Sequence, residues 1–198
     1  MALGFNYSTS DGSDIVAYVK YDARAGKMFR NDRAEHDGKF ENSTFEITNI
    51  FKAVMDMENV EVGYLLFVAG SAPAYLLVPF GAEYPARPKD GKWKQGLRVM
   101  MKLDPACGGD IREISSNATA FLKGFDELHT NYEMKRRQYP GKLPVVVLRN
   151  TVPITTGSGE KKSTNYSPVF EIVDWVPRPA NLIHVPKKSD GDEPPDYV

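Results

Sequence analysis

The chain has 198 residues, 41% of them apolar and 26% charged, with 25 Lys plus Arg against 26 Asp plus Glu and a net charge of -1. That length gives one domain with elaborations, able to bury about 70% of its unfolded surface, and the composition excludes a disordered or fibrous chain. The single cysteine, Cys107, excludes an internal disulfide and a cysteine-cluster zinc site, and no apolar run approaches the ~18 residues of a membrane span.

The start, Met1-Ala-Leu-Gly-Phe-Asn, lacks the basic flank and apolar core of a signal peptide, so the expected location is the cytoplasm. Asp14 to Tyr21 reads as a strand, with Val19 and Tyr21 on one parity and Tyr18 and Lys20 on the other. Asp22 to Phe40, polar and mixed in charge, reads as a loop. Thr44 to Met55 is apolar and fits strand or helix. Val60 to Val68 and Tyr75 to Phe80 read as strands of a hairpin turning through Ala69-Gly70-Ser71-Ala72-Pro73. Gly81 to Gly91 holds Pro85 and Pro88 and reads as an extended loop. Leu97, Val99, Met101 and Leu103 alternate with Arg98, Met100 and Lys102, which predicts a half-buried strand with a basic exposed face.

One helix is expected over residues 111–136. Ile111, Ile114, Ala118, Phe121, Leu122, Phe125, Leu128 and Tyr132 recur at spacings of three and four. Gly108-Gly109-Asp110 offers an N-cap, Pro140-Gly141 a stop, and Lys135, Arg136 and Arg137 complement the dipole at the C-terminal end. Leu143 to Asn150, nearly all apolar at its start, predicts a central strand. Pro168 to Val176 predicts another, with Phe170, Ile172 and Val176 on one parity and Val169, Glu171, Val173 and Trp175 on the other. Thr155 to Tyr166 between them reads as a long, mobile hairpin tip.

This string predicts a mainly β protein with one long helix. An OB-fold has three strands, a helix and two strands in a five-stranded Greek-key barrel. The chain offers up to five strand candidates before its helix, so the expectation is an elaborated OB-fold with extra strands; other α+β folds fit the same string. Residues 1–186 are expected to form this single domain and 187–198 a flexible acidic tail.

Charge is unevenly placed. The last ten residues carry Asp190, Asp192, Glu193 and Asp196 with no basic side chain, which leaves 25 positive and 22 negative side chains over residues 1–188. A mildly basic body with an acidic tip points to an anionic ligand for the body, with the tip competing for that surface or recruiting a partner.

Basic residues cluster with aromatics in four places. Lys20, Arg24, Lys27, Arg30 and Arg33 flank Tyr21 and Phe29. Arg87 to Lys102 holds six positives against Asp90 alone, with Trp93 between Lys92 and Lys94 and with Arg98 following. Lys135 to Arg149 holds five positives, no acid and Tyr139. Lys161 and Lys162 precede Tyr166 in the hairpin tip. Cations that follow phosphates and flat side chains that stack on unpaired bases are what single-stranded nucleic acid requires. Tyr18, Tyr21, Trp93 and Trp175 are the stacking candidates; for each tryptophan the competing reading is a core residue.

Enzyme signals are poor. His36, His129 and His184 are far apart and lack metal-ligand spacing. Glu133-Met134-Lys135 matches a nuclease fragment but falls at a helix end, not on a strand. Gly157 to Ser163 lacks the spacing of a phosphate loop. Cys107 has no neighbouring His or Asn to activate it. Neither a catalytic residue, a metal nor a cofactor is expected.

The basic β-rich body, one helix before two closing strands, and the acidic tail of Asp190, Asp192, Glu193, Asp196, Tyr197 and Val198 resemble phage-encoded single-stranded DNA-binding proteins. In that group an acidic tail contacts replication partners through terminal apolar residues and competes with DNA for the basic groove. The bacterial pattern ends in Pro-Phe after a run of Asp; here Pro194-Pro195 comes earlier and the last residue is Val198. The stretches Tyr18-Val-Lys-Tyr-Asp-Ala-Arg-Ala-Gly-Lys-Met-Phe-Arg30 and Asn165-Tyr-Ser-Pro-Val-Phe-Glu-Ile-Val-Asp-Trp-Val-Pro-Arg-Pro179 are similar to small uncharacterised proteins of proteobacterial phages and prophages. The resemblance implies a non-catalytic protein in the host cytoplasm that binds single-stranded DNA during phage replication or recombination. Its alternatives are a phage structural or adaptor protein and a metal-dependent nuclease.

Overall fold

Ten strands and one long helix lie among the described residues of a computed structural model, which are 17–36, 39–68 and 72–183. The acidic tail, the hairpin residues 69–71 and the start of the first expected strand lie outside the described residues, as do the side chains of 33–36, 39–41 and 161. In chain order the elements are β1 (Tyr18–Asp22), β2 (Lys27–His36), β3 (Lys39–Glu46), β4 (Lys52–Met55), β5 (Glu61–Leu66), β6 (Ala74–Pro79), β7 (Lys94–Leu103), β8 (Ile111–Ser116), α1 (Thr119–Lys135), β9 (Lys142–Thr156) and β10 (Ser163–Pro177). The strands form one strongly curled open sheet in the order β10-β9-β4-β7-β8-β1-β2-β3, with β5 on β7 and β6 outside it. The mainly β architecture with one long helix is as the sequence predicts.

β7 is the spine. Residues 101–103 pair with β4 and residues 94–98 with β5, so β4 and β5 run as two halves of one bent strand along its edge. The bend is a single 3₁₀ turn at Met57–Asn59. On the concave face Val19, Met28, Ala53, Met55, Val99, Met101, Ile114 and Val146 build the core, and α1 lays Phe121, Phe125, Leu128 and Tyr132 onto them. The helix sits close to β10 because Gly124 lacks a side chain: a Cβ there would lie 2.1 Å from the Pro168 carbonyl oxygen.

Four expectations are corrected. Ile111 to Ser116 is strand β8, not the first turns of the helix, which starts at Thr119 behind Ala118. Gly108-Gly109-Asp110 therefore does not cap the helix, and Gly108 closes the 3₁₀ turn at Pro105–Cys107; the Ala118 N–H bonds the Ser116 hydroxyl, at 3.2 Å. Most of the expected loop from Asp22 to Phe40 is strand β2. Its inner face turns polar where the core ends: Arg30 pairs opposite Val19 and donates to the Cys107 carbonyl oxygen at 2.9 Å and to Asp32 at 2.8 Å. Half of the expected tip from Thr155 to Tyr166 is strand, with Gly157 to Lys162 outside the ladder. β9 pairs with β4 only through residues 145–147, so Leu148 onward projects with β10 as a two-stranded arm.

The β1–β2 turn is fastened to that arm. The Tyr166 N–H donates to the Ala23 carbonyl oxygen at 2.7 Å, and the Tyr21 hydroxyl donates to the Tyr166 carbonyl oxygen at 2.9 Å. Gly26, at φ +67°, faces Thr151 and Tyr166 where a Cβ would lie 3.0 Å from each. After β10 the chain returns as a strap: Arg178 clamps Asp56, and Leu182 is buried. Among the described residues no helix is long and apolar enough to cross a membrane.

Candidate nucleic-acid interface

Three of the predicted contact residues are interior. Tyr21 lies beneath Phe121, ring centroids 5.6 Å apart, and burial pushes its hydroxyl far above the usual tyrosine range. Arg98 is 3% exposed; its Nε donates to Glu61 at 2.6 Å and a carboxylate oxygen of Glu113 lies 3.9 Å from its Nη1. Trp175 is buried between Tyr139 and Tyr132, so neither face is open to a base. A bulge in β10 at Val173, between Ile172 and Asp174, explains the misreading. A bulge flips every later side chain to the other face, so Phe170 and Trp175, of opposite parity, both face the core.

Three more cations are engaged without being buried. Lys27 pairs with Glu46 at 2.8 Å, Arg30 with Asp32, and Lys102 donates to the Asn181 side chain at 3.2 Å. The half-buried Trp93 donates its indole N–H to Asp90 at 3.1 Å. Tyr18, Lys20, Arg24, Lys92, Lys94 and Lys162 are exposed, and the five cations among them make no ion pair among the described residues. Tyr18 and Lys20 lie on the outer face of β1, Arg24 in the turn fastened to the arm, Lys92 and Lys94 at the start of β7, and Lys162 beside the arm tip. The structure therefore spreads these residues over several places.

It gathers a different set. α1 ends at Lys135 and a 3₁₀ turn at Arg136–Gln138 leads to Tyr139. The Pro140-Gly141 turn, with Gly141 at φ +72°, then drops the chain into β9 at Lys142. Between these segments and the first 3₁₀ turn lies a concavity of about 250 Å³. Tyr132, Arg136, Arg137, Tyr139 and Lys142 line it, and Glu58 closes the far side.

Its charges are unequal. Arg136 reaches Glu133 at 3.1 Å, and Glu58 is held by Arg178 at 2.7 Å. Arg137 and Lys142 have no ion pair among the described residues. Tyr139 is 36% exposed and lies nearly parallel to Trp175, centroids 4.7 Å apart at 7°, while Trp175 stacks on Tyr132 at 5.7 Å and 22°. The sequence signal is the acid-free run from Lys135 to Lys142, part of the basic cluster with Tyr139 noted above, none of whose residues was among the predicted contacts.

His129 extends the aromatic row, 6.0 Å from Tyr132 and 4.6 Å from Phe80. Burial holds its imidazole below the usual histidine range, against the pull of Glu133 and Asp126. An unfolded chain then takes up a proton below about pH 6.5 that the folded chain resists, so this residue lowers stability as pH falls through that window. His129→Gln is expected to flatten the acid-side fall in melting temperature; an unchanged fall would show that other groups set it.

Among the described residues no three His, Cys, Asp or Glu side chains gather as metal ligands. Compared with the models of known protein families, with curated proteins and with solved structures, the chain finds no match.

Proposed function

We propose that the chain is a non-catalytic, sequence-independent single-stranded DNA-binding protein on an elaborated OB-like half-barrel, acting in phage replication or recombination. The observation that carries this reading is the concavity at the end of α1, where Arg137 and Lys142, both without ion pairs among the described residues, flank the exposed Tyr139 ring. Cations neutralise phosphates and the ring stacks on a base, and neither contact depends on sequence.

The strand order supports the OB reading. β4 with β5, β7 and β8 pair in succession, and β9, after the helix, returns beside β4. This is the 4-1-2-3 order of a Greek key, with β10 as the fifth strand. β6 and the three-stranded unit β1–β3 are additions, and β1 takes the place beside β8, pairing with it in parallel. In this reading Lys20, Arg24, Lys92, Lys94 and Lys162 supply further phosphate contacts, and the acidic segment from Asp190 to Asp196 competes for the same cations.

Fluorescent oligo-dT titrated across a salt series tests the reading. Binding at low salt is expected, with a log–log slope of about -0.7 for each phosphate contacted. Reversing two charges in Arg137→Glu with Lys142→Glu is expected to lower affinity at low salt by at least about tenfold, or ~1.4 kcal/mol, and to flatten the slope. A truncation to residues 1–188 is expected to bind more tightly. Absence of binding at low salt would overturn the proposal.

A further inference from the structure

We infer that the concavity at the end of α1 is a seat for one nucleoside monophosphate unit carrying a terminal phosphomonoester, met as a phosphorylated strand end. The inference rests on the nucleic-acid reading of this face and names what the face prefers.

Size limits the ligand first. About 250 Å³ lies just below the range of roughly 300–1,000 Å³ for small-molecule sites. That is room on the scale of one nucleotide.

Charge then selects the phosphate. With Arg136 already beside Glu133, two cations of the lining are left without an ion pair among the described residues, Arg137 and Lys142. A phosphomonoester carries about -1.5 to -2 at neutral pH, which matches that pair better than the single charge of a phosphodiester. The opposite wall is a carboxylate. Glu58 keeps its place there because Arg178 pairs with it at 2.7 Å and with Asp56 at the same distance. A strand running through the concavity would bring a neighbouring phosphate towards that carboxylate, whereas a strand that ends in it would not.

The aromatic floor is prepared for a base. Trp175 lies parallel behind Tyr139 and is itself backed by Tyr132, so the tyrosine plane is fixed before any ligand arrives. A ring already ordered loses little freedom on stacking. Nothing lies within 4 Å of where a Gly141 Cβ would stand, so the rim on that side is open.

The test compares three dT oligonucleotides with the full chain at one low salt concentration: one with a hydroxyl at both ends, one bearing a 5′- or 3′-phosphate, and one a nucleotide longer with hydroxyl ends. The last two carry equal numbers of phosphates. The phosphorylated strand is expected to bind about tenfold more tightly than either hydroxyl-ended one. That gain should vanish in Arg137→Gln with Lys142→Gln, and shrink below about pH 6 as the monoester takes up a proton. Equal binding by all three strands would overturn the inference and leave the single-stranded DNA reading standing. If no strand binds, but thymidine monophosphate protects the wild-type chain against heat and fails to protect the double variant, the seat serves a free nucleotide and the DNA reading falls. Absence of both effects removes both.

Discussion

Arg178→Met is expected to lower the unfolding free energy by about 3–5 kcal/mol, the cost of stranding one member of a buried ion pair. Asp56 is 0% exposed, at the bend between β4 and β5. Both of its oxygens accept from the Arg178 guanidinium at 2.7 Å, and the Asn59 amide bonds them at 3.1 and 3.0 Å. Without the arginine the carboxylate stays inside the fold with the Asn59 amide as its one remaining side-chain partner among the described residues. Such a loss is about a fifth or more of the roughly 5–15 kcal/mol that holds a typical domain. Asp56→Asn should be milder. Arg178 has 32% of its side chain in solvent, keeps Glu58 as a partner and can be hydrated when the carboxylate is gone. Urea unfolding of the two single variants and the double variant separates these terms. The double variant should cost less than the sum of the two, because the stranded charge is then absent. A cost below about 1 kcal/mol for Arg178→Met, or a larger one for Asp56→Asn, would show that the clamp is an ordinary surface contact.

The same clamp shows why the interface was only partly legible in the sequence. Asp56 and Arg178 are 122 positions apart, and nothing in either neighbourhood marks them as partners. Elements that depend on local periodicity were readable. The core of α1 was visible in the stripe from Phe121 to Tyr132, and β5, β6 and β7 in their runs of apolar residues. Misreadings arose where two patterns coincide. Ile111 and Ile114 are three apart and continue the helical stripe backwards, yet they belong to β8, on opposite faces of the strand. β2 was hidden because its inner face changes from Met28 to Arg30 and Asp32 where the hydrophobic core gives way to a polar network.

Which face of a strand is inside was harder to read than that a strand exists. β1 has an aromatic on each parity, Tyr18 and Tyr21, and local chemistry does not choose between them. The choice comes from the arm: Tyr21 reaches the Tyr166 backbone 145 residues away and is buried, while Tyr18 stays 41% exposed. In β10 a bulge at Val173 breaks the alternation on which any face assignment depends. The Tyr139–Trp175 stack follows from that bulge, and with it the floor of the concavity. Arg137 and Lys142 were plain in the sequence as charges. Their convergence needed the turn at Pro140-Gly141.

Arg98 puts the two kinds of reading in direct opposition. As an exposed phosphate contact, Arg98→Met would leave stability unchanged and flatten the salt slope of DNA binding by about 0.7. The geometry predicts the reverse. Arg98 is 3% exposed, Glu61 is equally buried beside it, and the guanidinium lies 5.6 Å from the centre of the Tyr75 ring. Tyr75 bonds Glu113 at 3.2 Å and Ser115 at 3.0 Å, and burial pushes its hydroxyl up to about 12. Removing the cation leaves the Glu61 carboxylate buried without its counter-charge, at a cost of about 3–5 kcal/mol. Adding Glu61→Gln should recover part of it, since a buried amide is cheaper than a buried carboxylate. Guanidinium unfolding and the oligo-dT salt series, run on the same preparations, decide between the two. A stable Arg98→Met with a flattened slope would move the interface to β7 and β8. An unstable one with an unchanged slope confines Arg98 to holding β5 and β6 against the sheet, and leaves the end of α1 as the place where charge is free to meet a strand.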